Sequence, residues 1–325
     1  MFAEAIEHIL RDRCTPAAVR AVEAGGSPAP LWDAIAGAGF LDLLLGEEAG
    51  GAELPLPELY AVVSQFGRYA MPLPVVQSIA ARALVAREVQ LPAGMLTLAP
   101  ALRREPDGTL LCPLVPYGAI AEYVLAADGS HLVLLACEHA LRGGTAIPHS
   151  HLGTLVWRDD RRAERIAGDG RALAAFGAAL HAALLAGAMA KVFEMTLQYC
   201  NERSQFGKTL GKFQAIQHQL SVMAELVAAT SIAAEASFQA TDRTPRPLSA
   251  AIAKARASEA AVSVANTAHA LHGAIGVTEE YDLQLFTRRL HEWRIAHGSE
   301  SYWNRVLGEQ VLAEDSTLAE FVRSA

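Results

Sequence analysis

An arginine, two glutamines and two pairs of turn-forming small residues are the parts of this chain best suited to hold a charged ligand. Asn201-Glu202-Arg203-Ser204-Gln205-Phe206-Gly207 is followed by Leu210, Phe213-Gln214, Gln217 and Met223. The stretch reads as a helix, a glycine break, and a second helix with a polar Gln face. A guanidinium fork beside backbone N–H groups freed at a break suits a pyrophosphate. A helix end carrying a surface arginine fits the same spacing. A second stretch runs Ala270-Leu271-His272-Gly273-Ala274-Ile275-Gly276-Val277-Thr278-Glu279-Glu280-Tyr281. Glycines at 273 and 276 let a backbone come close to a ligand, and Thr278 is placed to cap a following helix, with Tyr281 behind it. Taken alone, it is equally a glycine helix end followed by a threonine helix start.

Other chemistry-bearing residues point nowhere as clearly. His149-Ser150-His151, with His139 upstream, lacks the cysteine or carboxylate that would complete a metal set, and reads as a polar loop. Glu279-Glu280 is expected to open a helix, where acids are favoured. Arg288-Arg289 reads as a solvated or interfacial face. Gly143-Gly144 has no strand–helix context for a dinucleotide loop.

The elements that must position these residues fall into three regions. Residues 1–91 read as short helices. Pro28-Ala29-Pro30 precedes an amphipathic start at Leu31-Trp32, Gly37 and Gly39 close it, and Pro57 to Tyr69 and Ser78 to Ala86 follow as helices. Residues 92–165 change character: Met95 to Leu98, Leu110-Leu111, Tyr123 to Ala126, Leu132 to Ala136 and Leu152 to Trp157 are short apolar runs between turns, ending near Asp159-Asp160. They predict a small sheet or reduced barrel. Residues 166–325 are helical, with helices expected at about 171–202, 211–240, 248–271 and 279–296 and a short one after Ser299. Long antiparallel helices with short links make a four-helix bundle. The fold class is mainly α with a small β-domain.

Of 325 residues, 52% are hydrophobic and 19% charged, and the formal net charge is -8. Much surface is therefore buried in a core or against other subunits, and no basic block suggests nucleic acid. Cys14, Cys112, Cys137 and Cys200 form no CxxC and read as reduced, buried thiols of a cytoplasmic protein. No signal-peptide pattern opens the chain. Ala172 to Ala190 is nearly long enough to span a bilayer, which takes ~20 residues. Its small side chains and missing aromatic belt fit the central helix of a bundle instead.

The two glycine-containing stretches together resemble the flavin-binding signatures of the acyl-CoA dehydrogenases. The resemblance extends to Trp32, Gly39-Phe40-Leu41, Glu47 through Gly51 and Gly67-Arg68, and so covers most of the chain. It implies α,β-dehydrogenation of an acyl-CoA thioester, with FAD as hydride acceptor and an electron-transfer flavoprotein as electron sink. It implies that one subunit lends phosphate-end contacts to a neighbour's FAD. The contacts carried over are Arg203, Gln205, Phe206, Phe213, Gln214, Gly273, Ala274 and Gly276.

The departures from that family are as informative. Counting from Gly276, the usual glutamate base falls at His297. An alternative base position, counted back from Arg203, falls at Gly177. Neither is a carboxylate. His297 reads either as an imidazole base or as a side chain filling an unused pocket, and Glu300 as an ion-pair or helix-cap residue. The β-domain is shortened, with Thr97-Leu98-Ala99-Pro100 the nearest match to the family's flavin-contacting strand and no Gly-Ser-Asp turn after it. Ala270 stands where a Gln often begins the glycine signature. The expected assignment is the short subunit of a heteromeric, steroid side-chain type acyl-CoA dehydrogenase. In an α2β2 assembly, a full-length partner would supply the base. A self-sufficient homo-oligomer using His297 and a non-catalytic structural partner subunit stay open.

Overall fold

The computed structural model describes residues 1–85, 89–129, 131–144, 147–161, 163–313, 317 and 319–321. Five helices come first: α1 (Phe2–Arg13), α2 (Pro16–Glu23), α3 (Ala29–Gly37), α4 (Leu56–Arg68) and α5 (Val75–Leu84). Thr15 caps α2 by accepting from the Ala18 N–H, with Pro16 at the first helical position. Gly39, at φ 80, closes α3. Ile6, Leu10, Ile35, Leu59, Val63 and Phe66 from these helices are fully buried together. The α5 helix begins ahead of the expected Ser78, and Ala86, its expected end, lies outside the described residues.

Eight strands follow: β1 (Leu96–Ala99), β2 (Arg103–Arg104), β3 (Leu110–Val115), β4 (Tyr123–Asp128), β5 (His131–Ala136), β6 (Leu141–Gly144), β7 (Gly153–Trp157) and β8 (Glu164–Ala167). They form two four-stranded sheets, ordered β1-β4-β5-β8 and β2-β3-β7-β6. Among the described residues, only the β1–β4 pairing is parallel. Leu110, Cys112, Val124, Val133, Leu135, Leu155 and Trp157 fill the space between the sheets. The alternate residues Leu96, Leu98, Leu125, Leu132 and Ile166 turn the other way, into the helical core. The first sheet is thus covered on both faces at β1, β4 and β5, which is why those three strands are continuous apolar runs. The strand region continues past the expected stop near Asp159-Asp160 to Ala167.

The C-terminal helices are α6 (Gly170–Glu202), α7 (Gln214–Ala236), α8 (Pro247–His272), α9 (Leu283–Ile295) and α10 (Glu300–Ala313). The 33-residue α6 is the axis of the bundle and packs on α4, α7, α8 and α9. It is long and apolar enough to cross a membrane, yet 89% of its most apolar window is buried inside the protein. Its contact with α4 is backbone to backbone. A Cβ added at Gly187 would stand 2.0 Å from Ser64 O, and one at Gly67 would stand 2.2 Å from Leu184 O. All four cysteines are buried free thiols, and burial pushes Cys14, Cys112 and Cys137 up to about 12.

Two further element boundaries, both next to the candidate motifs, differ from expectation. The break after α6 is a miniature hairpin, β9 (Ser204–Gln205) and β10 (Lys208–Thr209), followed by a 3₁₀ turn at Leu210–Lys212. The α9 helix starts at Leu283, so Glu279-Glu280 lie in turns and open no helix. Thr278 caps none either: its hydroxyl donates back to Ile275 O at 2.9 Å, closing the 3₁₀ turn Gly273–Val277.

Candidate functional site

The end of α6 projects the hairpin from the body of the bundle. Phe206 and Gly207 form its two-residue turn, with φ of 51 and 79. Positive φ at both positions is the primed turn that suits a tight hairpin, and Gly207 supplies it without strain. The Phe206 ring is 91% exposed and touches Phe213 edge-on at 6.4 Å, while Lys208 Nζ sits 4.2 Å over the Phe213 ring. Arg203, Gln205 and Gln214 are exposed, and Phe213 is half-buried.

The second stretch is brought to the same end of the bundle. The Tyr199 hydroxyl donates to His272 O at 3.2 Å, and the two rings stack at 4.5 Å. Tyr281 packs on His272 at 5.1 Å. Cys200, Leu220 and Leu271 form a small cluster of their own, flanked by Leu210 and Ile216. It ties the end of α6, the start of α7 and the end of α8 together. Gly273, at φ 63 and ψ -145, takes a backbone conformation closed to side chains and is exposed beside Ala274. Gly276 faces inward: a Cβ there would meet His272 Cβ at 2.8 Å and Leu283 Cδ2 at 3.3 Å. It shapes the turn from within, and Gly273 and Ala274 present the outward backbone. A free guanidinium, primary amides, exposed backbone and an exposed ring suit an anionic diphosphate carrying a flat aromatic group.

The two positions expected for a base, far apart in sequence, meet in space. His297 sits in a left-handed turn at φ 53, followed by Gly298 at φ 96. Its ring lies so close over Gly177 that a Cβ there would stand 2.0 Å from Nδ1. It packs on the His181 ring at 4.9 Å, and His181 Nδ1 bonds Gly177 O at 2.8 Å. Both histidines are buried. Burial, reinforced by the Lys254 ammonium, pushes His297 down to about 3, against a smaller opposing pull from the Leu98 backbone. Burial, with His297 and Lys254, holds His181 well below the usual imidazole range. Enclosure thus favours the neutral form of His297.

The turn that holds His297 is fastened by two side chains, Lys254 and Trp303. Buried Lys254 donates to Ser258 Oγ, Arg294 O and Gly298 O at 2.8, 2.7 and 2.8 Å. The Trp303 indole donates to His297 O at 2.9 Å. Glu300 pairs with Arg294, so it serves as an ion-pair residue. Thr97 of β1 donates its hydroxyl to Pro116 O inside the protein, with no exposed surface.

Sequence reasoning missed one polar cluster. Arg289, expected on a solvated or interfacial face, has a side chain 1% exposed and lies between Glu23 at 2.9 Å and Glu292 at 3.2 Å. Ser150 bonds the same Glu292 at 3.2 Å, and His151 is buried beside them, pushed down to about 4 by burial and by Arg289. The 149–151 segment is thus a junction between the sheets and α9. No group of three metal-ligating side chains occurs among the described residues. Glu23 and Arg289 are neighbours only through the fold, so no local pattern reports them.

Comparison with known proteins gives consistent matches. The family model for the acyl-CoA dehydrogenase N-terminal domain matches residues 1–89, and that for the C-terminal domain matches residues 171–312. The acyl-CoA dehydrogenase IpdE2 of Mycobacterium tuberculosis is 31% identical over 301 residues, 90% of each chain. Among solved structures, the ChsE4-ChsE5 complex from Mycobacterium tuberculosis contains a chain similar at a TM-score of 0.83, with 21% identity and 97% of each chain covered. The Tcur3481-Tcur3483 steroid ACAD gives 0.81, with 24% identity and 96% of each chain covered.

Proposed function

From the premise that this chain belongs to the acyl-CoA dehydrogenase family, we propose that it is the short subunit of a heteromeric member acting on a bulky, steroid side-chain type acyl-CoA. One observation carries the reading. Both positions that would carry a catalytic carboxylate are occupied by His297 and Gly177, packed on each other in a closed interior. The exposed hairpin and glycine turn at the far end of α6 remain built to serve another subunit. Similar folds occur in two-protein complexes, one of them a steroid ACAD, and the match covers nearly the whole of each chain.

In this reading Arg203 neutralises phosphate charge, and Gln205, Gln214 and the backbone at Gly273 and Ala274 add hydrogen bonds. Phe206 and Phe213 offer ring faces. FAD, when bound, supplies the hydride acceptor. The base and the flavin-ring contacts come from the full-length partner in an α2β2 assembly, and electrons leave to an electron-transfer flavoprotein. Burial that holds the His297 imidazole near 3 weighs against its use as a base at neutral pH.

The test is purification alone and after co-expression with full-length family members. The single chain is expected to be colourless and inactive, and the complex yellow and active. Arg203→Ala should weaken FAD binding to the complex by about 1.5–3 kcal/mol. A yellow, active single chain would overturn the reading.

A further inference from the structure

Two side chains of α2, one turn apart, reach across to the segment that follows the glycine turn. Arg20 donates from Nη2 to Glu279 O at 2.9 Å and pairs with Asp282 Oδ1 at 2.7 Å. Glu23 accepts from Arg288 Nη2 at 2.6 Å and faces Arg289 Nη2 at 2.9 Å. The link from Gly273 to Asp282 joins α8 to α9 with little regular structure beyond one 3₁₀ turn. At its start, the Tyr199 hydroxyl fastens His272 O. At its far end, Arg20 fastens Glu279 and Asp282. The exposed backbone of Gly273 and Ala274 lies between the two fastenings.

A link tied at one end samples many conformations, and ordering it costs about 1–2 kcal/mol per residue. Tying both ends beforehand removes that cost from the binding step. We propose that Arg20 is a positioning residue: by holding Glu279 and Asp282 it keeps the Gly273–Gly276 backbone in the form that receives the cofactor's phosphate end. Arg20 itself touches no cofactor. The inference rests on the FAD-lending reading above, and it gives the N-terminal helices a part in cofactor binding.

The arrangement separates this role from plain stability. Arg20 is 34% exposed, and an ion pair at that depth contributes little to folding. The neighbouring Glu23, with a side chain only 1% exposed, sits in the buried part of the clamp. Loss of Arg20 therefore loosens the link more than it weakens the fold.

The experiment titrates FAD into the apo form of the co-purified complex, read by flavin fluorescence, for wild type, Arg20→Ala, Arg20→Lys and Arg203→Ala. Arg20→Ala is expected to weaken FAD binding about tenfold, the equivalent of one charge-assisted hydrogen bond. Its apo melting temperature should move by less than about 2 °C. Arg20→Lys keeps the pairing with Asp282 and should recover part of the affinity. Wild-type affinity in Arg20→Ala, with Arg203→Ala weakened, overturns the inference alone. So does a Lys variant no better than the Ala variant, or a melting temperature that falls in step with affinity. Unchanged affinity in both Arg20→Ala and Arg203→Ala overturns the FAD-lending reading itself.

Discussion

Gly177 and His297 form a matched pair, and the match has a measurable sign. A methyl group at Gly177 would overlap the imidazole, because the added carbon falls 2.0 Å from Nδ1. His297 cannot easily retreat, since Lys254 and Trp303 hold its turn. Gly177→Ala should therefore destabilise the protein by about 1–3 kcal/mol, the usual cost of overpacking. Shrinking the neighbour creates the room the methyl group needs. The Gly177→Ala, His297→Ala double variant should be less damaging than the two singles added together. Urea unfolding of the four proteins checks this, and strict additivity would mean that the two positions do not touch.

Among elements, the crossing of α4 and α6 is a backbone-to-backbone approach that depends on Gly67 and Gly187. Each faces the other helix's carbonyls with no space for a side chain. Gly187→Val should force the helices apart and lower stability by about 1–3 kcal/mol or more. Circular dichroism melts would register it as a lower transition with retained helicity. This scale also shows what sequence could and could not reveal. The long helices were legible because their apolar residues run for many turns, as in α6. Strands β2, β6 and β8 were not, because Arg103-Arg104, Leu141–Gly144 and Glu164–Ala167 carry charge or glycine and are strands only through edge pairing. The start of α9 was misplaced because Glu279-Glu280 looks like an acidic helix opening, whereas a tied link occupies it. The residues proposed to hold the phosphate end were visible as a motif. The closure at the base positions was legible only as two unexpected residue types, since their contact arises from folding. Arg289 escaped notice for the same reason: Glu23, its partner from α2, reaches it only through the fold, while Glu292 lies one turn along α9.

For the molecule as a whole, buried neutral imidazoles set the response to acid. Unfolded, a histidine binds its proton near 6.5; folded, His151 does so near 4 and His297 near 3. Between those values the unfolded chain holds more protons than the folded one, so falling pH favours unfolding. Their contribution is complete above about 6.5 and drains away as pH falls toward 4 and then 3. Lys254 acts in the same sense higher up, at about 7 folded against 10.5 unfolded, so stability rises with pH across that interval. Melting the protein from pH 4 to 8 should show a steep acid limb, flattened in His297→Asn. An acid limb unchanged in that variant would mean that His297 is not the group responsible. The outward side of the molecule carries a different consequence. Phe206 at 91%, Val277 at 69%, Ile232 at 69% and Val222 at 45% leave oily surface in water on the hairpin, the glycine turn and α7. Surface of that kind is tolerated when a second polypeptide arrives promptly and becomes a route to clumping when none does. In the heteromeric assembly proposed above, supply of the two polypeptides would have to be balanced in the cell, and any surplus of this one would be waste to be cleared.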